Sequence, residues 1–366
     1  MTDINQQDIV ASRVSGKKVK DAVFMQTHGS LPYEELRSMG IQPEAILDFS
    51  ASINPFPMPE RIKNLFMPEN MAAYPDLQCY AARRALADLH AVPMEHILVT
   101  AGLTEVIFLL PIIAPFAVQL VPTYGDYRAA YSRETGKMVD LPFPENEGDT
   151  QAIADTLRSL NAALLIFCNP NNPDGCYLPA AHVDNWCKKL PDTVICVDES
   201  YQELGDRCES AISLIGGHSN LMVLKSLTKP YGIGGVRMGY AVCSGQLLNE
   251  LKRRVLPWGV CSIAQRIIPA LVENHAEFEL QWKSIQDLKK DLMSALSSVG
   301  IATSCKRGPF FLAHVSQPSL VRSLMLRRHH IAVRDCSSFG LRNTLRIMPS
   351  QPENNLRLVE AFRQYG

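Results

Sequence analysis

The most informative stretch of the sequence is residues 226–240, which read Ser-Leu-Thr-Lys-Pro-Tyr-Gly-Ile-Gly-Gly-Val-Arg-Met-Gly-Tyr. Lys229 closely follows an apolar run, hydroxyl residues flank it, and Arg237 comes eight residues later. This pattern suits a lysine that forms a Schiff base beside a bound phosphate. The alternative is a surface lysine in a glycine-rich loop. A dinucleotide-binding fingerprint does not fit, because Arg237 stands where its third glycine belongs.

On both sides of this stretch and before it, between about residues 96 and 243, short apolar runs alternate with amphipathic segments, as in a parallel sheet with helices on both faces. The predicted strands of this α/β fold are Ile97–Val99, Ala117–Val121, Ala163–Cys168, Val194–Val197, Leu221–Leu224 and Met238–Cys243. Polar or glycine-bearing segments follow these strands. Ligands bind at the carboxyl ends of strands in open α/β sheets, so the sequence predicts a site at these junctions.

After Pro257 the pattern changes to long helices and short strands, which indicates a smaller α+β domain. Helical patterns cover Ser262–Leu296, the segment near Ser319–Arg328 and the chain from Pro352, while strands are expected at Phe310–Val315, Ile331–Arg334 and Leu345–Ile347. We predict four parts of the chain: an N-terminal arm at 1–25, a segment at 26–60 that joins the small domain, a large domain at 61–255 and a small domain at 256–366.

The composition excludes several classes of protein. Of 366 residues, 46% are hydrophobic, and 36 Lys and Arg balance 37 Asp and Glu, which argues against disorder and against broad nucleic-acid or polybasic membrane binding. The 10 cysteines include no CxxC pair and no Cys/His cluster at zinc spacing, so we expect reduced thiols and no metal site. Without a secretory apolar region or a lipid-spanning helix, a cytoplasmic protein is expected.

Three further junctions resemble, in order and spacing, those of pyridoxal-phosphate enzymes of the aspartate-aminotransferase fold, called fold type I. Residues 122–127, Pro-Thr-Tyr-Gly-Asp-Tyr, resemble the loop that lays an aromatic ring on the cofactor. Residues 169–175, Asn-Pro-Asn-Asn-Pro-Asp-Gly, resemble the asparagine-proline loop, and residues 198–201, Asp-Glu-Ser-Tyr, the Asp-x-x-Tyr strand end. Each alone could be a turn, a helix cap or core aromatics. Together they imply a mainly parallel seven-stranded sheet and pyridoxal 5'-phosphate as cofactor.

The resemblance also implies a role for each residue that meets the cofactor ring. Lys229 would hold the cofactor and move protons at the substrate Cα, while Asp198 would keep the pyridine nitrogen protonated. Asn172 and Tyr201 would hydrogen-bond the phenolic oxygen, and Tyr124 would stack on the ring.

The cofactor phosphate needs backbone N–H groups at a helix N-terminus, and residues 101–105, Ala-Gly-Leu-Thr-Glu, open a helical run just after a strand. Gly102, Leu103 and Thr104 are the expected donors. Ser226 and Arg237 would complete the phosphate site, with the guanidinium giving a planar, charge-assisted contact.

The N-terminal third narrows the resemblance further. His28-Gly29-Ser30, the run Leu47-Asp-Phe-Ser-Ala-Ser-Ile-Asn-Pro55 and Tyr74-Pro-Asp76 look like the start of the threonine-phosphate decarboxylases of cobalamin synthesis, with histidinol-phosphate aminotransferases as close relatives. In that family the His-Gly pair and the asparagine-proline loop line the substrate pocket. Tyr74 would reach the cofactor site of the neighbouring subunit, which implies a homodimer. By itself, Tyr74 is an aromatic residue at a helix boundary.

Two arginines lie on short apolar strands of the small domain, in Val333-Arg-Asp-Cys336 and Leu345-Arg-Ile-Met348. Such arginines need anionic partners, because an unpaired buried guanidinium is costly. By resemblance, Arg346 would bind the substrate α-carboxylate, and Arg334 with His28 a distal phosphate or second anion. The alternative for Arg334 is a carboxylate of the protein itself.

Three departures from the family pattern bear on the substrate. Ser52 replaces an asparagine, Leu103 a polar residue and Asp174 a threonine, so the substrate pocket is altered while the cofactor residues are intact. We predict a pyridoxal-phosphate-dependent lyase that decarboxylates a phosphorylated or acidic amino acid.

Three alternatives stand beside that prediction. One is an aminotransferase acting on histidinol phosphate or a related amine, and another is a specialised biosynthetic enzyme of the same fold. A regulatory module without turnover is disfavoured, because too few residues precede His28 for a DNA-binding winged helix.

Overall fold

A computed structural model describes residues 31–365 of the chain. Its strands, in chain order, are β1 (Leu47–Asp48), β2 (Ile97–Thr100), β3 (Phe116–Val121), β4 (Lys137–Pro142), β5 (Leu164–Cys168), β6 (Val194–Asp198), β7 (Leu221–Ser226), β8 (Gly239–Cys243), β9 (Thr303–Ser304), β10 (Phe311–His314), β11 (Ile331–Ala332), β12 (Arg334–Asp335) and β13 (Thr344–Ile347).

The α-helices are α1 (Tyr33–Met39), α2 (Glu60–Lys63), α3 (Tyr80–His90), α4 (Leu103–Ile113), α5 (Gly125–Arg133), α6 (Glu147–Leu160), α7 (Ala180–Lys189), α8 (Gly245–Lys252), α9 (Ser262–Glu273), α10 (His275–Ser298), α11 (Pro318–His329) and α12 (Pro352–Phe362). Short 3₁₀ helices cover Pro43–Ala45, Pro68–Met71, Met94–His96, Ala211–Gly217 and Ser337–Phe339. No helix of the described residues is long and apolar enough to cross a membrane.

A seven-stranded sheet in the order β2-β8-β7-β6-β5-β3-β4 forms the centre of the molecule. All neighbours from β7 to β4 pair in parallel, and only β8 runs antiparallel to β7 and β2. The predicted seven-stranded, mainly parallel sheet is therefore confirmed. All six predicted strands are present. Strand β4 was not predicted, because it lies at the sheet edge with much of its surface in solvent and so lacks a continuous apolar run.

The sheet is covered on both faces, which explains why its central strands β5 to β8 are almost wholly buried. Helices α4, α5 and α8 pack on one face. Helices α3, α6, α7 and α9 contribute to the core on the other. The parallel strands thus end along one edge of the sheet, where their following loops meet.

A second, smaller core lies beside this sheet. It contains a four-stranded antiparallel sheet in the order β12-β13-β10-β9, covered by α10, α11 and α12. The predicted strand Ile331–Arg334 is instead two strands in different sheets, since β11 pairs in parallel with β1 and β12 pairs with β13. Val333 between them is buried. The chain therefore passes from one sheet to the other within an apolar stretch that reads as one strand.

Candidate active site

A cavity of about 290 Å³ lies at the carboxyl ends of β2, β5, β6 and β7. Most of the residues predicted for the site line it: Ser52, Gly102, Leu103, Thr104, Tyr124, Asn172, Asp198, Tyr201, Ser226, Lys229, Arg237 and Arg346. The last of these comes from the small sheet, so the cavity lies between the two cores. The loops that the sequence placed at strand ends thus form one site.

Lys229 stands in the loop after β7 and is half-buried. Its Nζ lies 5.0 Å from the centroid of the Tyr201 ring. Its backbone carbonyl accepts a hydrogen bond from the backbone N–H of Asn54 at 2.9 Å. The N-terminal segment therefore holds the lysine backbone in place while its side chain reaches the cavity.

Asp198 ends β6 and is almost fully buried. One carboxylate oxygen accepts the Tyr127 hydroxyl at 2.7 Å, and the other accepts the backbone N–H of Ser200 at 2.9 Å. Burial and the charge of Asp198 raise the pKa of Tyr127 far above its usual range, so this hydroxyl remains a donor. The arrangement orients a carboxylate towards a partner inside the cavity.

Tyr127 was quoted in the sequence motif but given no role. The available signal was its spacing: Tyr124 and Tyr127 are three residues apart at the start of α5, and their rings meet edge to face at 5.6 Å. Thr228, Ser200 and Phe339 also line the cavity and were missed. Sequence spacing alone does not show which loop side chains turn inward.

An anion site lies at the start of α4. Gly102 precedes the helix with φ 84°, and a Cβ built on it would lie 2.9 Å from Nη2 of Arg237. The guanidinium therefore approaches the helix N-terminus through space that only glycine leaves open. The hydroxyls of Ser226 and Thr228 are 2.9 Å apart in the same cavity. Backbone N–H groups, hydroxyls and a guanidinium together match a phosphate group.

Arg346 lies on β13 and is almost fully buried. Its guanidinium donates to the side-chain oxygen of Asn172 and, at 2.8 Å, to the backbone carbonyl of Ser50, and it lies over the Phe310 ring. Its Nε atom and the Ser52 hydroxyl are buried without a hydrogen-bond partner among the described residues. Since both residues line the cavity, a bound carboxylate could satisfy them.

Arg334 lies directly across the strand pair from Arg346. It does not line the first cavity but a second one of about 320 Å³, together with Arg322 and Ser338. Its guanidinium donates to the Ser338 hydroxyl at 2.8 Å and lies 5.2 Å from the centroid of Phe339, whose ring borders the first cavity. Burial and the nearby charge of Arg346 lower the pKa of Arg334. Two cationic groups thus stand side by side at this end of the site.

Tyr74, which was also predicted for the site, does not line the first cavity. Tyr74 is 90% exposed, and its ring lies 6.1 Å from that of Trp258 on the surface. His28 and Gly29 lie outside the described residues.

Comparison with known proteins gives a family match. The model of the family described as "Aminotransferase class I and II" matches residues 44–362. The chain belongs to the class I and II aminotransferase family.

The relatives of this chain include both decarboxylases and aminotransferases. The chain is 28% identical to the threonine-phosphate decarboxylase of Salmonella typhimurium, covering 93% of this chain and 97% of that one. It is 29% identical to histidinol-phosphate aminotransferase 2 of Pasteurella multocida, covering 91% and 93%. It spans only 40% of a longer relative at 27% identity, the adenosylcobalamin biosynthesis bifunctional protein CobDQ of Leptospira interrogans.

Among solved structures, the L-threonine-O-3-phosphate decarboxylase of Porphyromonas gingivalis superposes with a TM-score of 0.78 at 24% identity, covering 87% of this chain and 98% of that one. The predicted fold type I is confirmed. Family membership also confirms the prediction of a pyridoxal-phosphate-dependent enzyme. The cavity fits this cofactor, because it holds a cluster of phosphate donors, a lysine and a buried carboxylate.

Proposed function

We propose that the protein decarboxylates an amino acid that carries a second anionic group, such as a phosphate. The observation that carries the proposal is the pair Arg334 and Arg346, which lie directly opposite each other on neighbouring strands. Two adjacent guanidinium groups repel each other, and a ligand with two anionic groups relieves that repulsion. Histidinol phosphate has one such group, whereas an amino-acid phosphate has two.

The cavity residues would divide the work between holding the cofactor and handling the substrate. Bound pyridoxal phosphate would supply a pyridinium ring that withdraws electrons from the substrate Cα. Asp198 would keep the ring nitrogen protonated, and Tyr124 would cover the ring face. The start of α4, Ser226 and Arg237 would hold the phosphate.

Substrate orientation would decide the reaction, because the bound cofactor would stabilise the loss of either CO2 or a proton from the substrate Cα. Arg346 would bind the carboxylate through its Nε, together with the Ser52 hydroxyl, which lines the same cavity. Arg334 would hold the distal anion and so fix the substrate in the orientation in which the carboxylate is lost. Loss of CO2 leaves an electron pair at Cα, and Lys229 would return a proton to that atom.

An aminotransferase is the second candidate function. The family match and the relationship to histidinol-phosphate aminotransferases support it. A dicarboxylic amino donor such as glutamate would also satisfy both Arg334 and Arg346. In this case Lys229 would remove a proton from Cα, and the amino group would pass to a 2-oxo acid.

Incubation with threonine phosphate separates the two functions. Decarboxylation releases CO2 without any co-substrate, whereas transamination forms glutamate only when 2-oxoglutarate is added with an amino donor. Lys229→Ala is the control, since it removes the proton carrier. We expect CO2 release by the wild-type protein and none by K229A. Glutamate formation from histidinol phosphate, without CO2 from threonine phosphate, would overturn the proposal in favour of the second candidate.

A homodimer is part of the same proposal. Tyr74, Leu77, Leu256 and Trp258 form a surface patch, here named the aromatic patch, in which every side chain is more than half exposed. Exposed apolar patches of this kind mark protein interfaces. In a dimer formed through this patch, Tyr74 would be able to enter the cofactor site of the second subunit.

We also propose a cytoplasmic location. All ten cysteines lie within the described residues and none forms a disulfide. Reduced, mostly buried thiols are typical of proteins in a reducing compartment.

A further inference from the structure

Lys225 is a fully buried lysine next to the cofactor site, and its charge is not used by the proposed reaction. It lies near the end of β7 with 1% of its surface exposed. Its Nζ is 2.7 Å from Oε1 of Gln202, 2.8 Å from Oε1 of Glu203 and 3.3 Å from Oε2 of Glu199. These three acceptors match the three N–H donors of an ammonium group.

One of the two carboxylate partners, Glu199, is also held by groups outside the lysine. Glu199 is fully buried, and it accepts the backbone N–H of Ala211 and the Ser210 hydroxyl, each at 2.6 Å. Burial raises the pKa of Glu199, and the charge of Lys225 acts against that effect. Burial opposes the charge on Lys225, but Glu203 and Glu199 outweigh it and raise the pKa of the lysine. We call Lys225, Glu199, Gln202 and Glu203 the Lys225 network.

Stability alone does not account for this network. Buried ion pairs contribute little compared with apolar residues of the same volume, because desolvation offsets their attraction. A buried network of this kind does fix geometry, since each partner must stay in place to keep the others satisfied. The position of the network in the chain shows which geometry it fixes.

The Lys225 network joins the turn after β6 to the end of β7, and cofactor residues lie at both places. Glu199 directly follows Asp198, and Gln202 and Glu203 directly follow Tyr201. Lys225 directly precedes Ser226 and stands four residues before Lys229. The β6–β7 ladder pairs Asp198 with Leu224 and ends there. Beyond the last ladder pair, the backbone N–H of Glu199 donates to the Leu224 carbonyl at 2.8 Å. The ammonium group of Lys225 therefore adds a side-chain tie between the turn after β6 and the end of β7, directly before the loop that carries Lys229.

We propose that Lys225 is a positioning residue, which holds Asp198 and Tyr201 at a fixed distance from Ser226 and Lys229 and so pre-forms the pyridoxal-phosphate site. The inference rests on the proposed cofactor chemistry. Lys225 acts through its network and does not touch the cofactor, because it does not line the cavity.

The experiment compares Lys225→Met, Lys225→Arg and the milder Glu203→Gln with a matched control, Lys289→Met. Lys289 is also buried, on α10, and its Nζ donates only to the backbone carbonyl of Gly308 among the described residues. Each apoprotein is titrated with pyridoxal phosphate by equilibrium dialysis. Circular dichroism in the cofactor absorption band reports how firmly the bound ring is held, and urea unfolding reports stability.

We expect K225M to bind pyridoxal phosphate about tenfold more weakly or worse, with a reduced dichroic band at saturating cofactor. K225R should recover most of both signals, and E203Q should fall between them. K289M should lose stability but keep the affinity and the band. If K225M does not fold, E203Q and K225R carry the comparison.

Two outcomes would overturn the inference, and they are distinguishable. If the wild-type protein binds pyridoxal phosphate and the Lys225 and Glu203 variants lose only stability, Lys225 is structural and the proposed function is untouched. If the wild-type protein binds no pyridoxal phosphate, both the proposed function and the inference fail.

Discussion

At the scale of single residues, the site depends on polar groups that hydrogen bonds from neighbouring residues hold in place. Asp198 illustrates this, because its two carboxylate oxygens accept hydrogen bonds from the Tyr127 hydroxyl and from the backbone N–H of Ser200. An aspartate at a strand end could be predicted from the Asp-x-x-Tyr pattern. Its donor Tyr127 could not, since the contact joins residues 71 positions apart in the chain.

Tyr127→Phe tests that contact. The change leaves one oxygen of a buried carboxylate without its donor, so we expect the free energy of unfolding to fall by roughly 1–3 kcal/mol and pyridoxal-phosphate affinity to fall several-fold. Tyr131→Phe is a matched control: Tyr131 is equally buried on the same helix, but its hydroxyl donates to the backbone of Ala114. Y131F should lose stability only. Equal cofactor affinity in the two variants would remove Tyr127 from the site.

A second prediction concerns substrate binding by Arg346. Replacing it with alanine should weaken binding of an amino-acid phosphate by roughly 2–5 kcal/mol, because a buried charge-assisted pair is lost. Isothermal titration of the cofactor-loaded protein measures the change. The exposed Arg342→Ala serves as control and should bind like the wild type. Unchanged affinity in R346A would mean that the carboxylate binds elsewhere.

At the scale of elements, the buried strands of the large sheet were predictable because both faces are covered and their sequences are continuously apolar. Predictions failed where tertiary context decides. The edge strand β4 has no apolar run, and the stretch from Ile331 to Arg334 divides between two sheets. That division leaves Arg334 opposite Arg346 on β13.

A further prediction concerns phosphate binding at Gly102, which lies between β2 and α4. Gly102→Ala places a methyl group 2.9 Å from the Arg237 guanidinium and forces alanine into a backbone region that is essentially reserved for glycine, at a cost of roughly 1–3 kcal/mol. Displacement of the guanidinium should weaken binding of pyridoxal phosphate but not of pyridoxal, which lacks the phosphate. Parallel titrations with the two compounds measure this difference.

Gly235→Ala is the control for that experiment, because it lies in the same loop as Arg237 and a Cβ there meets nothing within 4 Å. It should bind both compounds like the wild type. If G102A weakened both compounds equally, the start of α4 would not be the phosphate site.

At the scale of the whole molecule, the net charge is close to zero, but three arginines cluster at one place. Arg237, Arg334 and Arg346 lie in or beside the site between the two cores. Net charge could exclude polyanion binding but could not locate this cluster, because it depends on which strands become neighbours. The exposed aromatic patch is likewise visible only in the folded chain.

Dimer formation through the aromatic patch is tested by sedimentation velocity. Leu256→Glu places a charge in the patch and should shift the protein from dimer to monomer. Leu356→Glu is the control, since Leu356 is similarly exposed but lies on α12 of the small core. The L356E protein should remain dimeric. A wild-type protein that sediments as a monomer with pyridoxal phosphate present would contradict the proposed interface.

We infer that the loops after β2, β6 and β7 form a pyridoxal-phosphate site whose reactive lysine is Lys229. The most direct measurement is mass spectrometry of peptides from the cofactor-loaded protein after borohydride reduction, which makes the bond between cofactor and lysine permanent. We expect one modified peptide, with the cofactor on Lys229 and none on Lys225. Absence of the modification, or its placement on another lysine, would contradict this inference.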